Sequence, residues 1–198
     1  MVANPSQNYM SPEEYLAFEE NSPVKHEYVK GYIYEVYDYD MAGASDAHVT
    51  ISLNLASLLR NHVRGTGCRV YMADMKAYIE TNDIYYYPDV MVTCDARDRE
   101  FTNYKKYPSL IIEVLSPSTE GNDRGDKFHQ YITLNTLQEY VLISQQHQRL
   151  DCFRRNSEGI WTVQFYTPGR DVHLQSIDFH TSLEAVYEDV TFAENGTQ

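Results

Sequence analysis

The stretch that decides the fold reads Tyr87-Pro88-Asp89-Val90-Met91-Val92, then Leu110-Ile111-Ile112-Glu113-Val114-Leu115, then Asp123-Arg124-Gly125-Asp126-Lys127-Phe128. The first two segments carry continuous apolar runs bounded by turn residues, the pattern of strands covered on both faces. The third opens an amphipathic stretch in which Phe128, Tyr131, Ile132 and Leu134 recur at helical spacing. Together they predict a mixed α/β domain with a central, mostly mixed sheet flanked by helices. A carboxylate inside a covered strand is costly unless something pairs with it, which marks out Asp89 and Glu113. Neighbouring strands lie about 4.7–4.9 Å apart, so on adjacent strands these two could face the same way and share a divalent cation. A helix packed back on the sheet would bring Lys127 over them. Carboxylates that fix an ion, an ion that acidifies its water and an ammonium that offsets charge on phosphorus suit phosphodiester hydrolysis. The ordinary alternative is a turn aspartate, a salt-bridged glutamate and no chemistry.

The order Pro88-Asp89, then Glu113-Val114-Leu115-Ser116-Pro117-Ser118-Thr119, then Asp123 to Lys127 and Tyr131, resembles the Uma2 family of endonucleases in the PD-(D/E)XK superfamily. The likeness extends over nearly all of the chain, from Tyr9 to Val190, and Glu113 to Thr119 is its most specific part. It implies a restriction-endonuclease-like core, DNA as substrate and Mg2+ or Mn2+ as cofactor. Asp89 and Glu113 would be the metal ligands, with the Val114 carbonyl as a third. Leu115 stands where the superfamily carries a lysine two residues after the glutamate, which makes Lys127 on the following helix the candidate for that role. The resemblance adds Glu27 as a further acidic site residue and His48 as a contact to phosphate or water. From sequence alone, Glu27 reads as an edge-strand residue paired with Lys25 or Lys30, and His48 as a polar helix-end residue.

A chain of 198 residues suits one α/β domain, with residues 1–8 and 193–198 expected to fray. No apolar run reaches membrane-spanning length and Met1 to Asn8 lacks the regions of a signal peptide, so a cytosolic protein is expected. Cys68, Cys94 and Cys152 are odd in number and widely spaced, and are expected to be reduced. The net charge of −13 weighs against nucleic acid, because phosphate neutralisation rests on Lys and Arg. A local basic patch would have to supply it: Arg60, Arg64, Arg69, Arg97 and Arg99 are candidates, and Arg124, Lys105, Lys106 and, within the resemblance, Tyr131 are the expected substrate contacts. The rival class is a catalytically silent nuclease-fold module that offers an acidic surface to a protein partner. Carboxylate acid–base hydrolysis of the glycosidase type ranks last, since it needs no lysine. Eighteen tyrosines suit half-buried sheet faces and are consistent with a homodimer.

Along the chain, Ser11-Pro12-Glu13-Glu14 is a capping-box helix start. Lys25 to Tyr37 reads as a hairpin about Lys30-Gly31, and Ala44 to Val63 as the main helix, capped by Ser45 or Asp46. Cys68 to Ile79 reads as one strand, joined by a turn at Thr81-Asn82-Asp83 to an antiparallel neighbour carrying Asp89. The charged segment Asp95 to Pro108 is expected to be a surface loop near the site. Asp123 reads as the cap of the Lys127 helix. Strands follow at Glu139 to Ser144, Leu150 to Arg155 and Trp161 to Tyr166, the last two as a solvated hairpin with Phe153 and Phe165 inward, and a short helix at Ser182 to Tyr187.

Overall fold

The computed structural model describes residues 9–36 and 44–192. The expected frayed ends, 1–8 and 193–198, and Tyr37 lie outside the described residues. Helix α1 (Pro12–Glu19) starts as its sequence dictates: Glu14 N–H donates to Ser11 Oγ, and Ser11 N–H donates to the Glu14 carboxylate. It leads to the hairpin β1 (His26–Val29) and β2 (Tyr32–Glu35). The connecting Lys30-Gly31 turn has positive φ at both residues, 50° and 93°, the geometry that matches the twist of paired strands. Helix α2 (Asp46–His62) is capped by Ser45, whose hydroxyl accepts from His48 N–H, and buries Ile51, Leu55, Ala56 and Leu59.

The stretch expected as one strand is two. β3 (Arg69–Met72) and β4 (Lys76–Ile79) are separated by a corner at Ala73–Met75, where Asp74 has φ 79°. Beyond the Thr81–Asp83 turn, the antiparallel neighbour of β4 is β5 (Ile84–Tyr86), while β3 pairs with β6 (Val90–Thr93). The chain therefore bends twice between two sheets, the second time at Tyr87-Pro88-Asp89, which leaves Asp89 at the junction. β7 (Tyr104–Lys105) joins β4, and β8 (Pro108–Leu115) joins β6. A crossover follows, α3 (Glu120–Asn122), a π turn over Asp123–Lys127 and α4 (Phe128–Tyr131), and it returns as β9 (Glu139–Ser144), parallel to β8. β10 (Leu150–Arg155) and β11 (Trp161–Tyr166) extend the sheet, and a small hairpin of β12 (Asp171–Leu174) and β13 (Phe179–Ser182) precedes α5 (Leu183–Val186).

The main sheet has the order β11-β10-β9-β8-β6-β3, and the second sheet β2-β1-β5-β4-β7. Every residue of β6, β8 and β9 is buried, as continuous apolar runs require. Alternation divides β8 cleanly. Leu110, Ile112 and Val114 pack with α2, α5 and the β12–β13 hairpin, while Ile111 and Leu115 pack with Tyr131, Tyr140 and the β4–β5 residues. Glu113 belongs to the second set by parity.

Three expectations are corrected. Cys68 and Cys94 form a disulfide, because the Arg69–Thr93 register of β3 and β6 places the two cysteines side by side, with Cα atoms 4.0 Å apart. Cys152 is the buried free thiol. Phe153 packs inward and Gln164 is exposed, as expected of the hairpin, but Phe165 is exposed and Arg154 is turned in to Glu139. The 95–108 segment is organised around buried Asp98, which accepts from the Lys106 and Tyr107 amides, and it joins the ends of β6 and β8 remote from Asp89 and Glu113.

Candidate active site

Continuing the β6–β8 register from Val90–Ile112 puts Asp89 opposite Glu113, and Asp89 N–H donates to Glu113 Oε2 at 3.2 Å. The Asp89 carboxylate reaches across the strand end: Oδ2 accepts from Val114 N–H at 2.7 Å, and Oδ1 lies 3.0 Å from His48 Nε2. The amide and carbonyl of one strand residue point to the same side, so the Val114 carbonyl also faces Asp89. His48 comes from the first turn of α2 on one face of the sheet, and Glu113 points to the other. Asp89 is the hinge between them.

On the Glu113 face the crossover helix delivers Lys127. Its ammonium lies 3.0 Å from Glu27 Oε1, 3.6 Å from Glu113 Oε1 and 3.6 Å from Asp123 Oδ1, with the Tyr86 ring 5.6 Å away. Asp123 is the residue that sequence reasoning misplaced. It does not cap the helix but stands inside it, buried, in the π turn one turn before Lys127. Its signal was the i, i+4 spacing to Lys127, which puts both side chains on one helix face. π turns within helices recur at functional sites. Tyr140 holds this turn by donating its hydroxyl to the Asp123 carbonyl at 2.9 Å.

Charge is unbalanced here. Four carboxylates, Glu27, Asp89, Glu113 and Asp123, surround one ammonium and one imidazole. Burial pushes the Glu113 carboxyl well above the usual range; Lys127 opposes that, while Asp123 and Asp89 add to it. Burial likewise raises Asp123 against the pull of Lys127. For Lys127, burial alone would lower the ammonium, but Glu113, Glu27 and Asp123 outweigh it and hold the group well above its ordinary value. Among the described residues, Glu113 Oε1 and Asp123 Oδ1 are both buried without a hydrogen-bond partner. Each faces the Lys127 ammonium at 3.6 Å, and one ammonium shared among three carboxylates leaves negative charge that a further cation would offset. Carboxylate oxygens are the donors that Mg2+ and Mn2+ take.

The expected substrate contacts divide. Tyr131 is fully buried between Tyr86 and Tyr140, with ring centroids 5.5 Å from each, and cannot touch a macromolecule. Lys105 is buried, donating to the carbonyls of Asp98 and Phe101, and Lys106 is paired with Glu80 at 2.7 Å. Both lysines lie beyond the Thr93–Pro108 end of the strands, five residues from Glu113, or about 16 Å along β8. Arg124 is nearer. It bridges Glu120 and Asp151, and Asp151 lies in the same cross-strand row as Glu113, two strands over, about 10 Å away. Arg149 flanks Asp151 from the other side at 2.7 Å.

The Uma2 family profile, described as "Putative restriction endonuclease", matches residues 12–186. A protein of Synechocystis sp., "Uncharacterized protein slr1290", is 40% identical over 183 residues, covering 92% of this chain and 94% of its own. A second Synechocystis protein, "Uncharacterized protein sll1609", is 36% identical over 154 residues, 76% of this chain and 83% of its own. Among solved structures, the crystal structure of "a putative nuclease belonging to DUF820" from Anabaena variabilis matches with a TM-score of 0.71 at 18% identity, over 90% of this chain and 97% of that one. That match establishes a shared fold. The carboxylate cluster lies wholly inside the span the family profile covers, and this chain is a member of the Uma2 family.

Proposed function

We propose that this chain is a Mg2+- or Mn2+-dependent endonuclease that hydrolyses phosphodiester bonds in DNA. Family membership supports a nuclease in general. The observation that carries the finer assignment is the excess of buried carboxylate, with Glu113 Oε1 and Asp123 Oδ1 making no hydrogen bond among the described residues and sharing the Lys127 ammonium with Glu27. Asp89 and Glu113, with the Val114 carbonyl, would hold the ion, and Asp123 adds negative charge beside Lys127. A divalent ion supplies Lewis acidity and an acidified water at neutral pH. Lys127 stays protonated under the combined field of its carboxylates, so it acts by offsetting charge on the phosphoryl oxygens and not as a base. Glu27 positions Lys127, and His48 positions Asp89. Arg124 and Arg149, which flank Asp151 in the Glu113 row, would meet backbone phosphates, the contacts that a chain of net charge −13 most needs.

The acidic charge favours one rival, a silent nuclease-fold module that binds a protein partner in the cytosol. Cleavage of supercoiled and single-stranded DNA, with Mg2+ or Mn2+, separates the two. Wild type should nick, and Asp89→Asn, Glu113→Gln and Lys127→Ala, each still folded, should not. Nicking of equal strength in all four proteins would sink the assignment, and no nicking or DNA binding by wild type would favour the module. A homodimer completes the proposal; its test is light scattering, with a monomeric mass ruling it out.

A further inference from the structure

A second group of metal-type ligands lies on the opposite face of the main sheet. In the β12–β13 hairpin, His173 stands directly opposite His180, and their rings stack with centroids 3.9 Å apart and planes 15° from parallel. Asp178 comes two residues before His180, and its Oδ1 lies 3.4 Å from His173 Nε2 and 3.5 Å from His180 Nε2. The three donor atoms all fall within 4.8 Å of one another. We propose that His173, Asp178 and His180 form a zinc-type site that pins this hairpin, separate from the carboxylate cluster.

Three features carry the proposal. Zinc sits about 2.0–2.1 Å from imidazole nitrogen and carboxylate oxygen, so adjacent donors around a tetrahedral ion stand about 3.3–3.4 Å apart. The two separations from Asp178 Oδ1 match that edge, and turning the exposed His180 ring out of its stack on His173 lets both imidazoles face one ion. Among the described residues His173 Nε2 is buried and makes no hydrogen bond; it faces Asp178 Oδ1 at 3.4 Å, a contact that an ion between them would replace. The backbone beneath is fixed: the His173 carbonyl accepts from Arg154 Nη2 at 2.8 Å and from the Tyr166 hydroxyl at 3.0 Å. Buried Glu139 accepts from the Gln175 and Ser176 amides and the Ser176 hydroxyl, which clamps the connection between the two histidines to the sheet.

Ligand chemistry separates this place from the candidate active site. Two imidazoles and one carboxylate select a borderline cation such as Zn2+ or Co2+, whereas an all-oxygen cluster selects Mg2+ or Mn2+. Position separates them too. By strand parity Glu139 faces α2 and the hairpin, while Glu113 faces the crossover helix. Asp178 and His180 are exposed, so the ion has an entry path and its fourth position is open to water.

The test is titration of tag-free, metal-stripped protein with Zn2+, and with Co2+ to read tetrahedral visible absorption. It is carried out on wild type and on the Asp89→Asn/Glu113→Gln variant, which lacks the other candidate ligands. One ion per chain is expected in the variant, with a rise in thermal midpoint on Zn2+ addition, and wild type adds what its carboxylate cluster holds. His180→Ala and His173→Ala should each weaken binding by more than about 100-fold, beyond the loss an outer-shell partner causes, and abolish the thermal rise. Because the His180 side chain is exposed, its variant folds irrespective of the site, so a failure to bind is not a failure to fold. Absence of stoichiometric Zn2+ in the Asp89→Asn/Glu113→Gln variant, or equal affinity in that variant with and without His180→Ala, overturns the proposal.

Discussion

Glu27 Oε1 lies 3.0 Å from Lys127 Nζ, nearer than either carboxylate on the elements that flank the lysine in sequence. The contact ties the β1–β2 hairpin of the second sheet to the crossover helix of the first. Removing one member of a buried ion pair leaves an uncompensated charge and costs about 3–5 kcal/mol. Lys127→Ala exposes Glu27, Glu113 and Asp123 to one another, so its loss should sit at that level in denaturant unfolding, with Mn2+ restoring part of it. Glu27→Gln keeps an acceptor and should lose about 1.5–3 kcal/mol. Equal stability of Lys127→Ala with and without Mn2+ would argue that no ion replaces the ammonium.

His48 tests the positioning of Asp89. Its Nε2 holds Asp89 Oδ1 while Val114 N–H holds Oδ2, which leaves the carboxylate little rotational freedom. Loss of such an outer partner costs about 10–100-fold in metal affinity or activity. His48→Ala should therefore weaken Mn2+ binding and cleavage in parallel by that factor, with a normal far-UV spectrum. A change in cleavage without a change in Mn2+ affinity would place His48 on the substrate instead.

The raised carboxyls make metal binding a proton-releasing step. Burial, against the pull of Lys127, raises Glu113 and Asp123 in the folded chain above their ordinary values of 4.5 and 3.8. An acid raised on folding stabilises the fold while protonated, and that contribution is lost as pH climbs from the unfolded value through the folded one. The metal-free protein should thus lose stability as pH rises out of the ordinary carboxyl range. Mn2+ needs the ionised forms, so its affinity should rise over the same interval. Calorimetry in two buffers of different ionisation enthalpy reads the released protons. A Mn2+ affinity constant between about pH 5 and 8 would exclude the coupling.

The strands of the centre were legible because their burial on both faces leaves only apolar residues, so Asp89 and Glu113 stood out against Val90-Met91-Val92 and Ile111-Ile112. Lys127 was legible as the helical residue that follows them. Asp123 was not, because an aspartate after Gly121-Asn122 has the same local chemistry as a helix cap, and only the packing of the crossover on β8 distinguishes floor from cap. The corner at Ala73–Met75 carries neither Gly nor Pro, so nothing local announces that one apparent strand serves two sheets. Lys105 and Lys106 were assigned to the site by nearness in sequence, yet a strand's length of β8 carries the chain away from it. Sequence distance is a poor guide wherever the connection is a strand.

The disulfide follows from the same register that sets Asp89 in place. β3 and β6 pair as Arg69–Thr93 through Met72–Val90, so Cys68 and Cys94 close one end of the pair while Asp89 stands just past the other. Cross-linking residues 26 apart removes unfolded-chain entropy worth about 3–4 kcal/mol. Cys68→Ser/Cys94→Ser should lose that much in denaturant unfolding, and a reducing agent should lower wild type to the same level while leaving the variant unchanged. Asp89 is held by Val114 and His48 and not by the bond, so Mn2+ affinity in the variant, measured where it is still folded, should stay within about threefold of wild type, as additivity predicts for sites without shared partners. A larger fall in affinity would mean that β6 needs the cross-link to keep Asp89 facing Glu113.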